Sequence, residues 1–281
     1  MSKKIELNTV MKLFTIFVNK KWTAIDGYDD VLNRFGELVN ALKEEEIELI
    51  MDLTEKYHWM TYNEYHTSLR TLLKKLLLES LTDKSRLFLF PIIKPSDEKK
   101  IKSGHAVMYM LDSIKSSISG FKNIEFILLN EFKDLEEKAL SLTNNDFLIL
   151  VDDYIGTGKT LTSTLSEIKK NTSINDNYAI LTVAIQNEAK DLLDVQGIKY
   201  YNYLDLLKGI SSHYDSPELE ERLATMKRIE NRIPKVRKFR LGFEKSEALI
   251  TLIRTPNNTF PIFWKGIDND GVEIEAPFQR H

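Results

Sequence analysis

Residues 147–170 read FLILVDDYIGTGKTLTSTLSEIKK, and this stretch decides the fold. Five consecutive apolar residues, 147–151, are too few to span a membrane and too uniform for a half-exposed strand. They predict a buried strand of a parallel sheet. Asp152 and Asp153 follow where that strand leaves the sheet, and Gly156, Thr157, Gly158, Lys159 and Thr160 come next. Leu161, Leu165 and Ile168 recur at i, i+4 and i+7, so a helix with one apolar face begins there. A strand, a glycine-containing turn and a helix N-terminus form an anion site, because first-turn amides lack partners within the helix and the macrodipole adds positive potential. Gly156 and Gly158 admit a close ligand, while Thr157 and Thr160 add hydroxyls. Two carboxylates beside a phosphate would repel it, so Asp152 and Asp153 suit sugar hydroxyls, or Mg2+ held through water.

Outward from this stretch, residues 86–203 alternate short apolar runs with helical patterns. Strands are expected at 87–93, 124–129, 147–151, 178–185 and 198–203, with helices from His105 and at 135–142, 160–170 and 187–193. This βαβ alternation predicts an α/β fold, a mainly parallel five-stranded sheet flanked by helices on both faces. Ligands of such sheets bind at the strands' carboxyl ends. The loop at 94–104 leaves one of those ends with Lys94, Lys99, Lys100 and Lys102, and Lys102, Ser103 and Gly104 offer a cation, a hydroxyl and exposed amides near a helix start. Residues 131–146 hold Glu131, Asp134, Glu136, Glu137 and Asp146 against Lys133 and Lys138, the pattern of an acidic helix.

Residues 7–82 contain no proline and read as helical, with an aromatic cluster at Tyr57, Trp59 and Tyr62 expected to pack between helices. His58 and His66 lack metal-ligand spacing. At the other end, a charged helix at 216–229 precedes a basic run with Lys235, Arg237, Lys238 and Arg240. The expected division is a helical region at 1–84, an α/β core at 85–210 and a small C-terminal α+β extension at 211–281.

The chain has 281 residues, 42% of them hydrophobic, enough for a sizeable core. Its 39 basic and 42 acidic residues are mixed and sum to −3, so no global field advertises nucleic acid or membrane, though a local basic patch remains open. Without cysteine there is no disulfide, thiolate nucleophile or thiolate-held metal. The start, Met1 to Glu6, lacks the apolar core of a signal peptide, and a cytoplasmic location is the expectation.

Two motifs compete for the central stretch. A P-loop, G-x-x-x-x-G-K-[ST], finds its end in Gly158-Lys159-Thr160, but Asp153 stands where its first glycine belongs. The run from Asp152 to Thr160 instead resembles the phosphoribosyl-diphosphate motif of type I phosphoribosyltransferases: a hydrophobic strand, two acids, three variable residues and Thr-Gly-x-Thr. The resemblance implies that Asp152 and Asp153 meet the ribose 2′ and 3′ hydroxyls and support Mg2+, that Thr157 to Thr160 hold the 5′-phosphate, and that Lys102, Ser103 and Gly104 meet pyrophosphate. It departs from the family where a basic mobile loop is usual, since residues 131–146 are acidic, and where purine enzymes often carry an acid, since Gly156 stands there. Further on, Gly242-Phe243, Ser246, Thr255-Pro256-Asn257-Asn258-Thr259, Pro261 and Trp264 resemble the C-terminal signature of phosphoribosyltransferase-like proteins from bacterial conflict and antiphage gene clusters. That resemblance implies a hood over the acceptor carrying Asn257 and Asn258, and a protein partner from the same operon. Three functions stay open: a phosphoribosyltransferase, a sensor that binds a ribosyl phosphate or nucleotide without turnover, and a P-loop nucleotidase.

Overall fold

Ten residues form the motif strand, twice the apolar run that announces it: β4 spans Asp146–Ile155 and carries both acids of the motif within the strand. In this computed structural model residues 7–175, 177–269 and 271–280 are described. The reading of residues 1–6 as lacking a signal peptide lies outside them.

In chain order the helices are α1 (Leu7–Asn19), α2 (Tyr28–Asn40), α3 (Glu44–Lys56), α4 (Tyr62–Ser80), α5 (Ser103–Lys115), α6 (Lys159–Ile168), α7 (Asn187–Val195) and α8 (Glu218–Glu230). The strands are β1 (His58–Trp59), β2 (Arg86–Pro91), β3 (Glu125–Leu128), β4, β5 (Tyr178–Gln186), β6 (Tyr200–Leu206), β7 (Ile250–Thr251), β8 (Ile267–Asn269) and β9 (Val272–Ile274). They divide into two compact units, one of Tyr62–Leu206 and one joining Met1–Thr61 to Leu207–His281.

The first unit holds the expected five-stranded sheet, in the order β3-β2-β4-β5-β6. All four pairings are parallel. Leu148 and Leu150 of β4 join Phe88 and Phe90 of β2 in a core closed by Leu161, Leu165 and Ile168 of α6 and by Leu193 of α7. On the opposite face α5 packs on β2 and β4, and α4 packs on β5 and β6. Burial on both faces is why the strands read as unbroken apolar runs.

The expected helix at 135–142 does not form. A 3-10 turn at Phe132–Leu135 is followed by irregular chain. Leu135, Leu140 and Leu142 are all buried, at offsets that no single helix face supplies. Asn171 fixes this path, because its side-chain amide donates to both Leu135 O and Leu140 O at 2.8 Å.

The second unit is assembled from both ends of the chain, in place of separate regions at 1–84 and 211–281. The reason is the core: Phe17, Trp22, Phe35 and Tyr57 share one cluster with Ile229, Phe260, Phe263 and Phe278. The Tyr57 and Phe278 rings stack at 4.8 Å with 7° between planes, and Phe263 lies 4.7 Å from Tyr57. The aromatic cluster is thus partly a core element, although Tyr62 stays 65% exposed. The helical reading of 7–82 breaks at β1, which pairs in parallel with β7. The apolar stripe of α4 belongs to the sheet unit. α8 carries Glu218, Glu220 and Glu221 in its first turn and Lys227 and Arg228 in its last, matching the helix dipole.

Candidate functional site

The strand order reverses at β2, so the crevice between β2 and β4 is the topological switch point of the sheet. The ladder between them ends at Pro91 opposite Val151, and β4 runs on through Asp152 to Ile155 beyond it. Loops leaving β2 and β4 therefore emerge side by side at the carboxyl end.

Ser103, the first residue of α5, reaches that overhang. Its Oγ donates to Asp152 Oδ1 at 2.6 Å, and the Asp153 amide donates to the same oxygen at 2.9 Å. The approach depends on Gly104. A Cβ there would lie 2.7 Å from Val151 O and 2.9 Å from Pro91 Cβ, so a larger residue would push the helix start off both strands. The turn is closed by the Lys102 amide donating to His105 Nδ1 at 3.1 Å. Burial lowers the pKa of His105, which keeps the ring neutral and able to accept. The Lys102 ammonium sits 3.0 Å from Asp97, which also holds Lys100 at 2.5 Å. The structure thus brings Ser103 and Gly104 to the acid pair and shows Lys102 paired to an acid of its own loop.

After Ile155 only Gly156, Thr157 and Gly158 precede α6. Gly158 caps the helix at φ 75, a left-handed conformation that glycine adopts without steric cost. Its carbonyl accepts the Thr162 amide at 2.8 Å. Lys159 and Thr160 open the first turn, where the helix amides point outward. Thr164 Oγ1 donates to Ile93 O at 2.8 Å, fastening α6 to the segment that follows β2. Asp153 lies inside β4, so the strand-to-helix loop is three residues long, shorter than a P-loop requires.

Asp152 is half-buried and Asp153 buried. Burial raises both carboxyls above the ordinary range, Asp152 most, where the neighbouring Asp153 charge adds to it. Two adjacent acids in a partly dry site resist ionising together. A cation would relieve that cost, and an all-oxygen donor pair fits the hard ion Mg2+. Among the described residues no group of three or more His, Cys, Asp or Glu could hold a metal, so the pair would supply two ligands at most, leaving the others to water and ligand oxygens. Sequence reasoning missed two tyrosines here. Tyr65 of α4 is buried, and its ionisation is suppressed first by burial and then by the charges of Asp153 and Asp152. Tyr154 is buried with no hydrogen-bond partner for its hydroxyl. Only the tertiary fold carries Tyr65 to the acids, and no local pattern marks it.

Asn257 and Asn258 belong to the other unit. There their backbone carbonyls accept the Phe243 amide at 2.9 Å and the Ala248 amide at 3.1 Å. A Cβ on Gly242 would lie 1.9 Å from Asn258 O, which explains a glycine at φ 79 beside this turn. The Thr-Pro-Asn-Asn-Thr segment thus has a structural duty in its own unit.

A parallel sheet with an acid pair, a three-residue glycine turn and a helix start at its switch point defines a phosphoribosyltransferase-like protein. The sequence model of the PRTase-CE family matches residues 32–280, and the chain belongs to that family. No curated protein matches it. Among solved structures it is similar to a hypothetical protein from Neisseria gonorrhoeae with bound ppGpp, at 12% identity over 61% of this chain and 96% of that one, TM-score 0.36. It is also similar to a purine phosphoribosyltransferase from Pyrococcus horikoshii, at 15% identity over 53% and 86%, TM-score 0.33. A third is the orotate phosphoribosyltransferase of Mycobacterium tuberculosis in complex with inorganic phosphate, at 14% identity over 52% and 73%, TM-score 0.31.

Proposed function

We propose that the chain binds phosphoribosyl diphosphate, or a related ribosyl phosphate or nucleotide, together with Mg2+, as a component of a bacterial antiphage system acting with a protein partner in the cytoplasm. The observation that carries the binding reading is the acid pair held by Ser103 at the switch point, directly before the glycine turn and the α6 N-terminus. In this reading Asp152 and Asp153 accept the ribose 2′ and 3′ hydroxyls, and the amides and hydroxyls from Gly156 to Thr160 take the 5′-phosphate. Ser103 and the amides around Gly104 meet the pyrophosphate end, and Lys102 joins them by leaving Asp97. Mg2+, when bound, neutralises pyrophosphate and the acid pair. Displacement at C1′ asks the protein mainly for positioning and charge stabilisation.

A second reading, a sensor without turnover, is favoured by the segment between β3 and β4. It is acidic, and Asn171 ties it down, which suits neither a mobile closing loop nor a pyrophosphate clamp. The experiment is calorimetric titration of phosphoribosyl diphosphate with Mg2+ into wild type and into an Asp152→Asn, Asp153→Asn variant. Binding abolished in the variant supports the site. Binding indifferent to both residues removes it. Pyrophosphate release with a nucleobase then separates enzyme from sensor.

A further inference from the structure

In the unit built from both chain ends, residues 231–246 contain six basic residues, Arg232, Lys235, Arg237, Lys238, Arg240 and Lys245, against the single acid Glu244 that is exposed there, with none buried in the run. Lys235, Arg237, Lys238 and Arg240 are all exposed, and among the described residues none of the four forms an ion pair. Arg232, at the start of the run, is by contrast paired with Glu46. The run is also anchored to its unit. Val236 and Leu241 are buried anchors. The Leu241 amide donates to both oxygens of Glu230, at 3.0 and 2.9 Å, and a 3-10 turn spans Arg237–Phe239.

Aromatic surface lies within the run. Phe239 and Phe243 are half-buried, with ring centroids 6.4 Å apart, and Phe239 abuts Trp264 at 5.7 Å. The Lys238 ammonium stands 4.8 Å from the Phe239 ring centroid. Four exposed cations alone, of which Arg240 also faces Glu230, would serve any polyanion. Cations interleaved with half-exposed rings match a chain that alternates phosphates with flat, unstacked bases. The net charge of −3 leaves the rest of the protein with no general attraction for such a chain, so binding would be confined to this face.

We propose that residues 235–243 bind single-stranded nucleic acid, with phosphates on Lys235, Arg237, Lys238 and Arg240 and a base against Phe239 and Phe243. This surface belongs to the composite unit and the acid pair to the sheet unit, and the proposal does not depend on the reading of that site. Duplex is disfavoured because its bases are already stacked.

The test is fluorescence anisotropy with an oligothymidylate of about 15 nucleotides, the matching duplex and poly-glutamate, across a salt series. Four phosphate contacts predict a slope of log affinity on log salt of about −2.8, at about −0.7 per contact for a single strand. Lys235→Gln, Arg237→Gln and Lys238→Gln together, keeping Arg240 beside Glu230, should reduce the slope to about −0.7. Phe239→Leu should weaken the single strand about tenfold with the slope unchanged. Unaltered circular dichroism and thermal melting show that each variant folds. No binding at low salt overturns the proposal. So does duplex binding as tight as single strand, or poly-glutamate binding that matches it and ignores Phe239, which would instead mark a face for acidic protein.

Discussion

The two units solve the same packing problem by different means. The sheet unit is one continuous stretch, Tyr62–Leu206, whose core is mainly aliphatic and whose strands pair near neighbours in sequence. The composite unit brings the chain's ends together around aromatic rings: Phe17, Trp22, Phe35, Tyr57, Phe263 and Phe278. The difference teaches where single substitutions matter most. Both cores contain many aliphatic side chains, but only the composite one adds a set of mutually packed rings, each of which touches several others. The sites differ too, since the acid pair sits within the central strand β4 while the basic run is a surface segment held by a few anchors.

The strongest test of this contrast is Phe263→Ala. Phe263 is fully buried against Tyr57 and Phe35. Its loss should destabilise the composite unit by about 3–5 kcal/mol, read by urea denaturation. Tryptophan emission reports on that unit because Trp22, Trp59 and Trp264 all lie in it, and far-UV circular dichroism should retain the sheet unit's signal. Simultaneous loss of both signals would show that the units are not independent in stability.

Next is the acid pair. Asp152→Asn with Asp153→Asn should weaken phosphoribosyl diphosphate by about a hundredfold, or about 2.7 kcal/mol, while leaving folding unchanged or improved, because a buried charge repulsion is removed. A large loss of stability would mean the acids are structural.

A third test uses pH. Glu230, fully buried in the composite unit, has its pKa pushed up to about 8, chiefly by burial. The folded state keeps this proton at pH values where the unfolded chain has released it. The stability it contributes is therefore present in full below the ordinary glutamate pKa and lost as pH rises towards 8. The unfolding free energy should fall over that interval, by on the order of 5 kcal/mol. Glu230→Gln should flatten the profile, and an unchanged slope would assign it to another group.

The smallest expected effect sharpens the site side of the comparison. Thr164→Val removes the buried bond to Ile93 O and should cost about 1 kcal/mol, with a few-fold loss of ligand affinity as α6 loosens from the segment after β2. Equal affinity would show that the glycine turn is held without that bond.

Much of the sheet unit was legible because its signals are local. The run at 147–151 announced β4, and the spacing of Leu161, Leu165 and Ile168 announced α6. The missed helix at 135–142 failed for the complementary reason: its path is set by Asn171, some thirty residues away in sequence. Tyr65 escaped notice because only the packing of α4 brings it to the acids.

The sequence by itself determined the class of fold, the order of acid pair, glycine turn and helix start, and the lack of cysteine chemistry, because each depends on residue type and short spacing. Tertiary structure alone decided that Asp152 and Asp153 lie within the strand, that Ser103 reaches Asp152, that Lys102 is held by Asp97, and that both chain ends share one core. Those outcomes depend on contacts between residues far apart in sequence, where burial and shape select one partner among many that local propensity would accept.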